Sequence, residues 1–403
     1  MTSSKMTNPP EWEVRSMMDI VELPTGQVDP RQEPYLSMIL VAPDHMESAT
    51  GRLLEKATAS SQGAISGKYK FRPGDVLYSK IRPYLRKAVL ADFEGLCSAD
   101  VYPLRPRQNI HPSFLLALIL SDPFSVFAES VSMRSGFPKI NRCELAEFCA
   151  VLPPYIEQAR IAEVLDTLDK AIQGTKAGIL KQGAVYLGLQ EQFFTPSGVR
   201  ARLGWQEAQL ENIAESITSG PRGWATYYAD EGDYFLRIGN LTRKHLDLRF
   251  DDVVKVKPPG GAEGVRTALA PGDLLISITA DLGIIGVVPD WMGVAYINQH
   301  IARARLDRTK VNPRFLGYQL SGLIGQKQFY RLNDVGAKAG LNLPAVGGLK
   351  AWLPPLTDQD RIASTLDGIQ QALRQEEALL SKLKSLKAGL SSDLLTGRVR
   401  ISA

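Results

Sequence analysis

The chain has 403 residues, 44% hydrophobic and 22% charged, which describes a globular protein of more than one core and excludes a disordered chain. No apolar run approaches the roughly 18–20 residues of a membrane span, and the opening MTSSKMTNPPEWEV lacks an apolar signal segment. A net charge of +4 and a pI near 8.8 permit nucleic-acid binding without arguing for it. Cys97, Cys143 and Cys149 form no CxxC pair, are odd in number, and are expected to be buried structural thiols in a reducing cytoplasm.

In chain order, residues 1–11 are expected to form a disordered tail. Its Asn8-Pro9-Pro10-Glu11 resembles the Asn-Pro-Pro-aromatic turn of DNA amino-methyltransferases, but the fourth residue is acidic and no strand precedes it. Residues 12–154 read as a first globular half, with a strand at Asp75–Tyr78 and a proline-opened helix over Pro112–Leu120. Residues 155–197 read as one long helix, 198–355 as a second globular half, and 356–403 as a second long helix. Strands are expected in the second half at Asp233–Ile238, Asp273–Ile278 and Gly283–Val288, and a helix at Pro313–Ser321. The expected class is α+β, with a mostly antiparallel or irregular sheet in each half.

An internal repeat organises these pieces. LPPYIEQARIAEVLD at 152–166 recurs as LPPLTDQDRIASTLD at 353–367, identical at nine of fifteen positions. Pro73-Gly74-Asp75-Val76-Leu77 recurs as Pro271-Gly272-Asp273-Leu274-Leu275, and Trp12 and Trp205 open the two copies. A period near 200 residues is too long for a solenoid unit of about 20–50 residues, so the repeat is a duplicated domain.

Each Leu-Pro-Pro marks a helix start, because proline is tolerated in the first turn and disfavours helix in the residue before it. The central helix carries apolar residues at Ile161, Leu165, Leu168, Ile172, Ile179, Tyr186, Leu189 and Phe193. The C-terminal helix carries Ile362, Leu366, Ile369, Leu373, Leu380, Leu383, Leu390 and Leu394, with Glu376 and Lys387 interrupting the row. This is a heptad seam of about four to five heptads. At 1.5 Å per residue each helix spans about 60 Å, longer than a ~150-residue domain is wide. The two helices are therefore expected to pair antiparallel, with Ile161, Leu165, Leu168 and Ile172 on one and Ile362, Leu366, Ile369 and Leu373 on the other among the pairing residues. The first is expected to stop near Thr195-Pro196-Ser197-Gly198 and the second at Gly397.

Catalytic signatures are missing. The chain has no GxxxxGK[ST], GxGxxG, HExxH or GxSxG, and His45, His111, His245 and His300 lack metal-ligand spacing. Pro289-Asp290 is not followed by the Glu/Asp-x-Lys of a nuclease site. No metal or cofactor is expected. Basic and aromatic residues do cluster in both halves. Candidate DNA contacts are Lys68, Lys70, Arg72, Lys80, Arg82, Arg86, Arg134, Lys139 and Asn141 in the first, and Arg222, Trp224, Arg237, Arg243, Lys244, Lys338 and Asn342 in the second. Lys and Arg neutralise phosphates or bond guanine edges, and Asn suits adenine. Arg105, Arg107, Arg303 and Arg305 belong to the same basic stretches. Against this stands the plainer reading that such residues are solvated surface charges.

Two divergent halves, each followed by LPP-x-x-x-Q-x-RI-x-x-x-LD and a long helix, with Leu394-Leu395-Thr396-Gly397-Arg398 at the end, resemble the specificity subunit of type I restriction–modification systems. The resemblance covers nearly the whole chain. It implies two target-recognition domains, each reading one half of an asymmetric bipartite site in double-stranded DNA. It also implies helices that set the half-site spacing and dock two copies of a methyltransferase subunit, with an ATP-dependent restriction subunit as further partner, in the cytoplasm. One departure is Pro24-Thr25-Gly26-Gln27, which only loosely matches Ser219-Gly220-Pro221-Arg222 in the other copy. The alternatives are a coiled-coil adaptor without a DNA role, a stand-alone DNA enzyme, and the specificity chain of a system whose restriction and methylation activities are fused.

Overall fold

The computed structural model describes residues 11–132, 137–195, 204–258, 267–333 and 340–401. They fall into two compact units, Met1–Lys176 with Ala378–Ala403, and Ala177–Glu377. Each unit holds one globular α+β half and stretches of both long helices.

The two halves repeat one topology. In the first, a four-stranded antiparallel sheet runs in the order Val21–Glu22, Val101–Pro106, Val76–Ser79, Ala88–Leu90. In the second, the order is Ala214–Ser219, Ile301–Leu306, Leu274–Ser277, Ile285–Val287. A smaller sheet accompanies each. It contains a parallel pair, Leu40–Val41 with Gly95–Cys97 in the first half and Asp233–Leu236 with Ala295–Ile297 in the second. A two-stranded antiparallel ribbon joins the start of each half to the strand before its Leu-Pro-Pro: Glu13–Ser16 pairs with Cys149–Leu152, and Gln206–Gln209 with Lys350–Leu353. The expected helices form over Pro112–Ile119 and Pro313–Ser321.

The repeated Pro-Gly-Asp has a structural explanation. Gly74 and Gly272 take φ of +90° and +82°, the left-handed turn that glycine adopts without a Cβ clash. The aspartate that follows is buried and closes the turn, accepting hydrogen bonds from the Arg72 N–H at 3.0 Å in the first half and the Ala270 N–H at 2.8 Å in the second. The same carboxylates receive guanidinium groups from the neighbouring strand, Arg105 on Asp75 at 3.0 and 3.1 Å and Arg305 on Asp273 at 2.9 and 2.8 Å. These bonds raise the pKa of both arginines. Arg105 and Arg305 therefore hold the sheet, which corrects their reading as part of a DNA-facing stretch.

The long helices span Tyr155–Phe194 and Leu356–Leu395, 40 residues each. Gln158 and Gln359, both buried in the repeated motif, pin their first turns. Gln158 accepts from the His111 N–H at 2.9 Å and donates to the carbonyls of Asn109 and Pro153. Gln359 does the same with the Asn312 N–H and the carbonyls of Lys310 and Pro354. The motif's glutamine thus satisfies buried backbone groups that would cost about 1–3 kcal/mol each if left unpaired.

The seam packs antiparallel within each unit. In the first, Ile161, Ala162 and Leu165 share a core with Leu394, Leu395, Phe114 and Leu115, and Leu390 packs against it. In the second, Ile362, Ala363 and Leu366 share a core with Phe194, Phe315 and Leu316, with Tyr186, Leu189 and Phe193 alongside. The start of each helix thus meets the end of the other. Each fully buried Leu or Ile contributes about 1.5–3 kcal/mol. Ile172 is buried; Leu168, Ile369 and Leu373 are half-buried. Lys387 interrupts the apolar row for a reason: its Nζ meets Asp169 Oδ1 of the other helix at 2.5 Å. The C-terminal helix stops as expected, with Gly397 left-handed at φ +71° and its N–H bonded to the Leu394 carbonyl.

Candidate nucleic-acid interface

The tightest correspondence between the halves lies in the loops beyond the central strands. In the first half the Lys80 N–H donates to the Asp100 carbonyl at 3.0 Å, and the Ile140 N–H to the Lys80 carbonyl at 2.9 Å. In the second, the Ile278 N–H donates to His300 at 3.0 Å and the Leu341 N–H to Ile278 at 2.8 Å. Ser98 and Val101 likewise match Asn298 and Ile301 bond for bond: Ser98 N–H to Val41 and Val101 N–H to Ser98 in one, Asn298 N–H to Leu236 and Ile301 N–H to Asn298 in the other. One bridge ties each loop to the segment before the next short helix, Ile81 with Lys139 and Thr279 with Gly340. The residue after that bridge is left-handed in both, Arg82 at φ +48° and Ala280 at +57°. A serine hydroxyl closes each turn, Ser79 onto the Ile81 carbonyl and Ser277 onto that of Asp281.

On this shared backbone the side chains differ. In the first half, Arg82 lies 4.8 Å over the exposed Phe137 ring, Lys80 lies 5.2 Å over Tyr102, and Lys139 is exposed. Burial lowers the Lys80 pKa, and the nearby cations Lys139 and Arg142 lower it further against the pull of Asp100. In the second half the same place holds a histidine, a threonine and two amides. His300 Nδ1 sits 2.7 Å from Thr279 Oγ1, and its Nε2 sits 2.9 Å from the Gln299 amide nitrogen. Asn298 Oδ1 accepts from the His300 N–H. No local motif marks Thr279, Asn298, Gln299 and His300. Extending the repeat from the Pro-Gly-Asp anchor through Cys97 and Ile297 would have aligned them with the basic loop of the other half.

Residues 9–182 match the family model described as the type I restriction modification DNA specificity domain. A 152-residue stretch is 36% identical to the type I restriction enzyme EcoDI specificity subunit of Escherichia coli, covering 36% of this chain and 34% of that subunit. A Methanocaldococcus jannaschii protein named as the MjaX specificity subunit is 23% identical over 98% of this chain and 95% of its own length. Among solved structures, the S subunit of a type I restriction–modification system from M. genitalium aligns at TM-score 0.64 and 14% identity, covering 97% of this chain and 98% of that one. A chain from a study of complex assembly in the type I system aligns at TM-score 0.54 and 24% identity, covering 98% and 100%. Residues 9–182 carry the family match, and the likeness over the rest of the chain rests on relatives of 23% identity and on solved structures that share the fold. Among the described residues no group of three or more His, Cys, Asp or Glu side chains gathers into a metal site, and no single helix is long and apolar enough to cross a membrane.

Several of the expected DNA contacts are engaged in contacts within the fold. Lys68 is buried, its Nζ bonded to the Ser66 carbonyl and hydroxyl at 2.6 and 2.7 Å, and burial lowers its pKa. Trp224 is buried, stacked on Phe235 at 5.8 Å and tilted against Tyr296, so its ring is a core element rather than a platform for a base. Asn141 and Asn342 cap short helices, accepting the N–H of Glu144 at 2.9 Å and of Ala345 at 2.8 Å. Their equivalence in the repeat therefore reflects duplicated capping. Arg86 bonds Asp122 and the Leu120 carbonyl, Arg237 pairs with Asp252 at 3.1 Å, and Arg243 is held by Asp281, Gln326 and the Leu282 carbonyl. Lys70 pairs loosely with Glu94 at 3.5 Å. Arg134 and Lys338, and Pro196, Ser197 and Gly198 at the expected helix stop, lie outside the described residues.

What remains is a set of exposed or half-exposed cations with no carboxylate within ion-pairing distance among the described residues: Arg72, Lys80, Arg82 and Lys139 in the first half, Arg222 and Lys244 in the second. A cation without an internal counter-ion keeps its full charge for an external anion. Lys80, Arg82 and Lys139 meet at one loop junction, joined by the Ile140–Lys80 hydrogen bond and the Ile81–Lys139 bridge.

Proposed function

We propose that the chain is the DNA-recognition subunit of a type I restriction–modification complex in the cytoplasm. Residues 12–154 and 198–355 act as target-recognition domains, each reading one half of an asymmetric, gapped site in double-stranded DNA. The helices within 155–197 and 356–403 set the distance between half-sites and dock two copies of a methyltransferase subunit, with an ATP-dependent restriction subunit joining the assembly. The carrying observation is the pair of loop junctions described above, one backbone hydrogen-bond pattern bearing unlike side chains. Duplicated geometry presents two equivalent reading surfaces, and unlike side chains give them unlike targets. The free cations supply phosphate contacts that position each domain, and side chains at the junctions discriminate bases. Half-sites read from one face of the duplex lie about one helical turn apart, roughly 34 Å centre to centre.

The test is a methylome comparison between hosts expressing the neighbouring methyltransferase gene with and without this chain. An asymmetric gapped methylated motif that requires the chain is the expected result. Unchanged methylation, with no salt-dependent DNA binding by the purified complex, contradicts it and leaves the adaptor reading.

A further inference from the structure

The loop junctions differ in a reciprocal way. Where the first half carries Arg82 and Lys139, the second carries Ala280 and Gly340. Where the second half carries Asn298 and Gln299, the first carries Ser98 and Ala99. The matched backbone bonds fix this correspondence, so it does not depend on sequence similarity in the loops. One junction thus offers fixed cations beside small residues, and the other offers amides beside small residues.

Those two chemistries select different base pairs. In the major groove, guanine presents two acceptors, N7 and O6, which arginine or lysine can bond together. Adenine presents an acceptor and a donor, which an amide side chain matches. Arg82 suits the first task. It is exposed, has no carboxylate partner among the described residues, and has its guanidinium packed over Phe137, which limits the rotamer freedom lost on binding. In the second half, Asn298 has its oxygen committed to the His300 N–H, while Gln299 stands beside the imidazole that Thr279 holds from the other side.

Resting on the DNA-recognition reading above, we propose that four duplicated positions determine specificity: Arg82 with Ala280, Lys139 with Gly340, Ala99 with Gln299, and Ser98 with Asn298. Through them the first half selects a G·C pair and the second an A·T pair.

The full chain is expressed with its methyltransferase partner and its motif read by methylome sequencing, for the wild type, Arg82→Gly, Gln299→Ala and the double variant Ala280→Arg/Gly340→Lys. Glycine is chosen at position 82 because it takes the left-handed φ without strain. Arginine at 280 enters an exposed turn, and a Cβ at Gly340 would meet nothing closer than the Ile278 carbonyl at 3.6 Å. Arg82→Gly is expected to relax one G·C position about 5- to 150-fold, leaving the other half-site intact. Gln299→Ala is expected to relax an A·T position in the opposite half-site by a similar factor, and the double variant to shift that half-site toward G·C. A motif whose two halves ignore all three changes overturns the proposal, as does relaxation at base pairs of the opposite type. If Arg82→Gly abolishes methylation, the other two variants decide: an unchanged second half-site overturns it. A wild-type chain that directs no gapped motif removes the recognition reading itself, a separate result from a gapped motif that these positions do not control.

Discussion

The groove beside the first globular half and its counterpart in the second are built on the same frame and filled differently. In the first unit a cavity of about 650 Å³ remains, lined by Leu116, Ala117, Leu165, Asp166 and Lys387 among others. In the second, Arg314 and Tyr318 stand where the repeat places Ser113 and Ala117. Arg314 bonds Asp367 at 2.6 and 2.8 Å and Asp247 at 2.8 Å, Arg374 reaches Asp247 at 2.7 Å, and the Tyr318 hydroxyl bonds Asp367. Burial works against the Arg314 charge, but Asp367 and Asp247 together still raise its pKa, while burial and Asp367 push the Tyr318 hydroxyl well above the usual tyrosine range. Leu246 completes the seal against Gly317, where a Cβ would come within 2.8 Å of the leucine. Among the described residues Asp166, the first unit's counterpart of Asp367, pairs only with the exposed Lys170 one turn along its own helix, at 2.7 Å. The helix motif is thus duplicated with its aspartate, but only one copy uses that aspartate to clamp the globular half. Duplication preserved the framework and left the packing on it free to diverge, as it did at the loop junctions.

The shared framework is best broken at its aspartates. Asp75→Ala and Asp273→Ala each leave a turn N–H and a guanidinium without the carboxylate they share. Each is expected to cost about 3–5 kcal/mol and to act alike in the two halves. Hydrogen exchange in peptides covering Val101–Pro106 and Ile301–Leu306 reads the loss of protection. Strongly unequal losses would show that the common turn does not carry equal weight.

The divergent packing gives the smaller effect. Arg314→Ser, which installs the first half's residue, is expected to cost about 1.5–3 kcal/mol, the range for hydrogen bonds to charged groups. The loss should appear as faster exchange over Pro313–Ser321, with Pro112–Ile119 unaffected. An unchanged exchange pattern would mean that the Asp247–Asp367 clamp is idle.

Much of this framework was legible in the sequence, because it rests on local rules. The Leu-Pro-Pro boundaries, the heptad seam and Gly397 follow from backbone sterics and helical periodicity, and the structure has helices at Tyr155–Phe194 and Leu356–Leu395 accordingly. The candidate interface was legible only in outline. Composition marks Arg86, Arg105 and Arg243 as basic, but their carboxylate partners Asp122, Asp75 and Asp281 lie 30 or more residues away and meet them only in the fold. Asn141 could have been recognised as a cap from Glu144 three residues on, the spacing of a capping box. Nothing local distinguishes the buried Trp224 or Lys68 from exposed neighbours, since burial depends on strands brought from elsewhere in the chain.

The central claim is that each half reads its own part of one DNA site. It is tested most directly by replacing residues 205–352 with the corresponding segment of another specificity subunit of known target, keeping both helices, and sequencing the methylome of a host carrying the hybrid and its methyltransferase. The account predicts that one half-site changes to that of the donor while the other half-site and the spacer stay as they were. A hybrid that alters both half-sites, or neither, would contradict it.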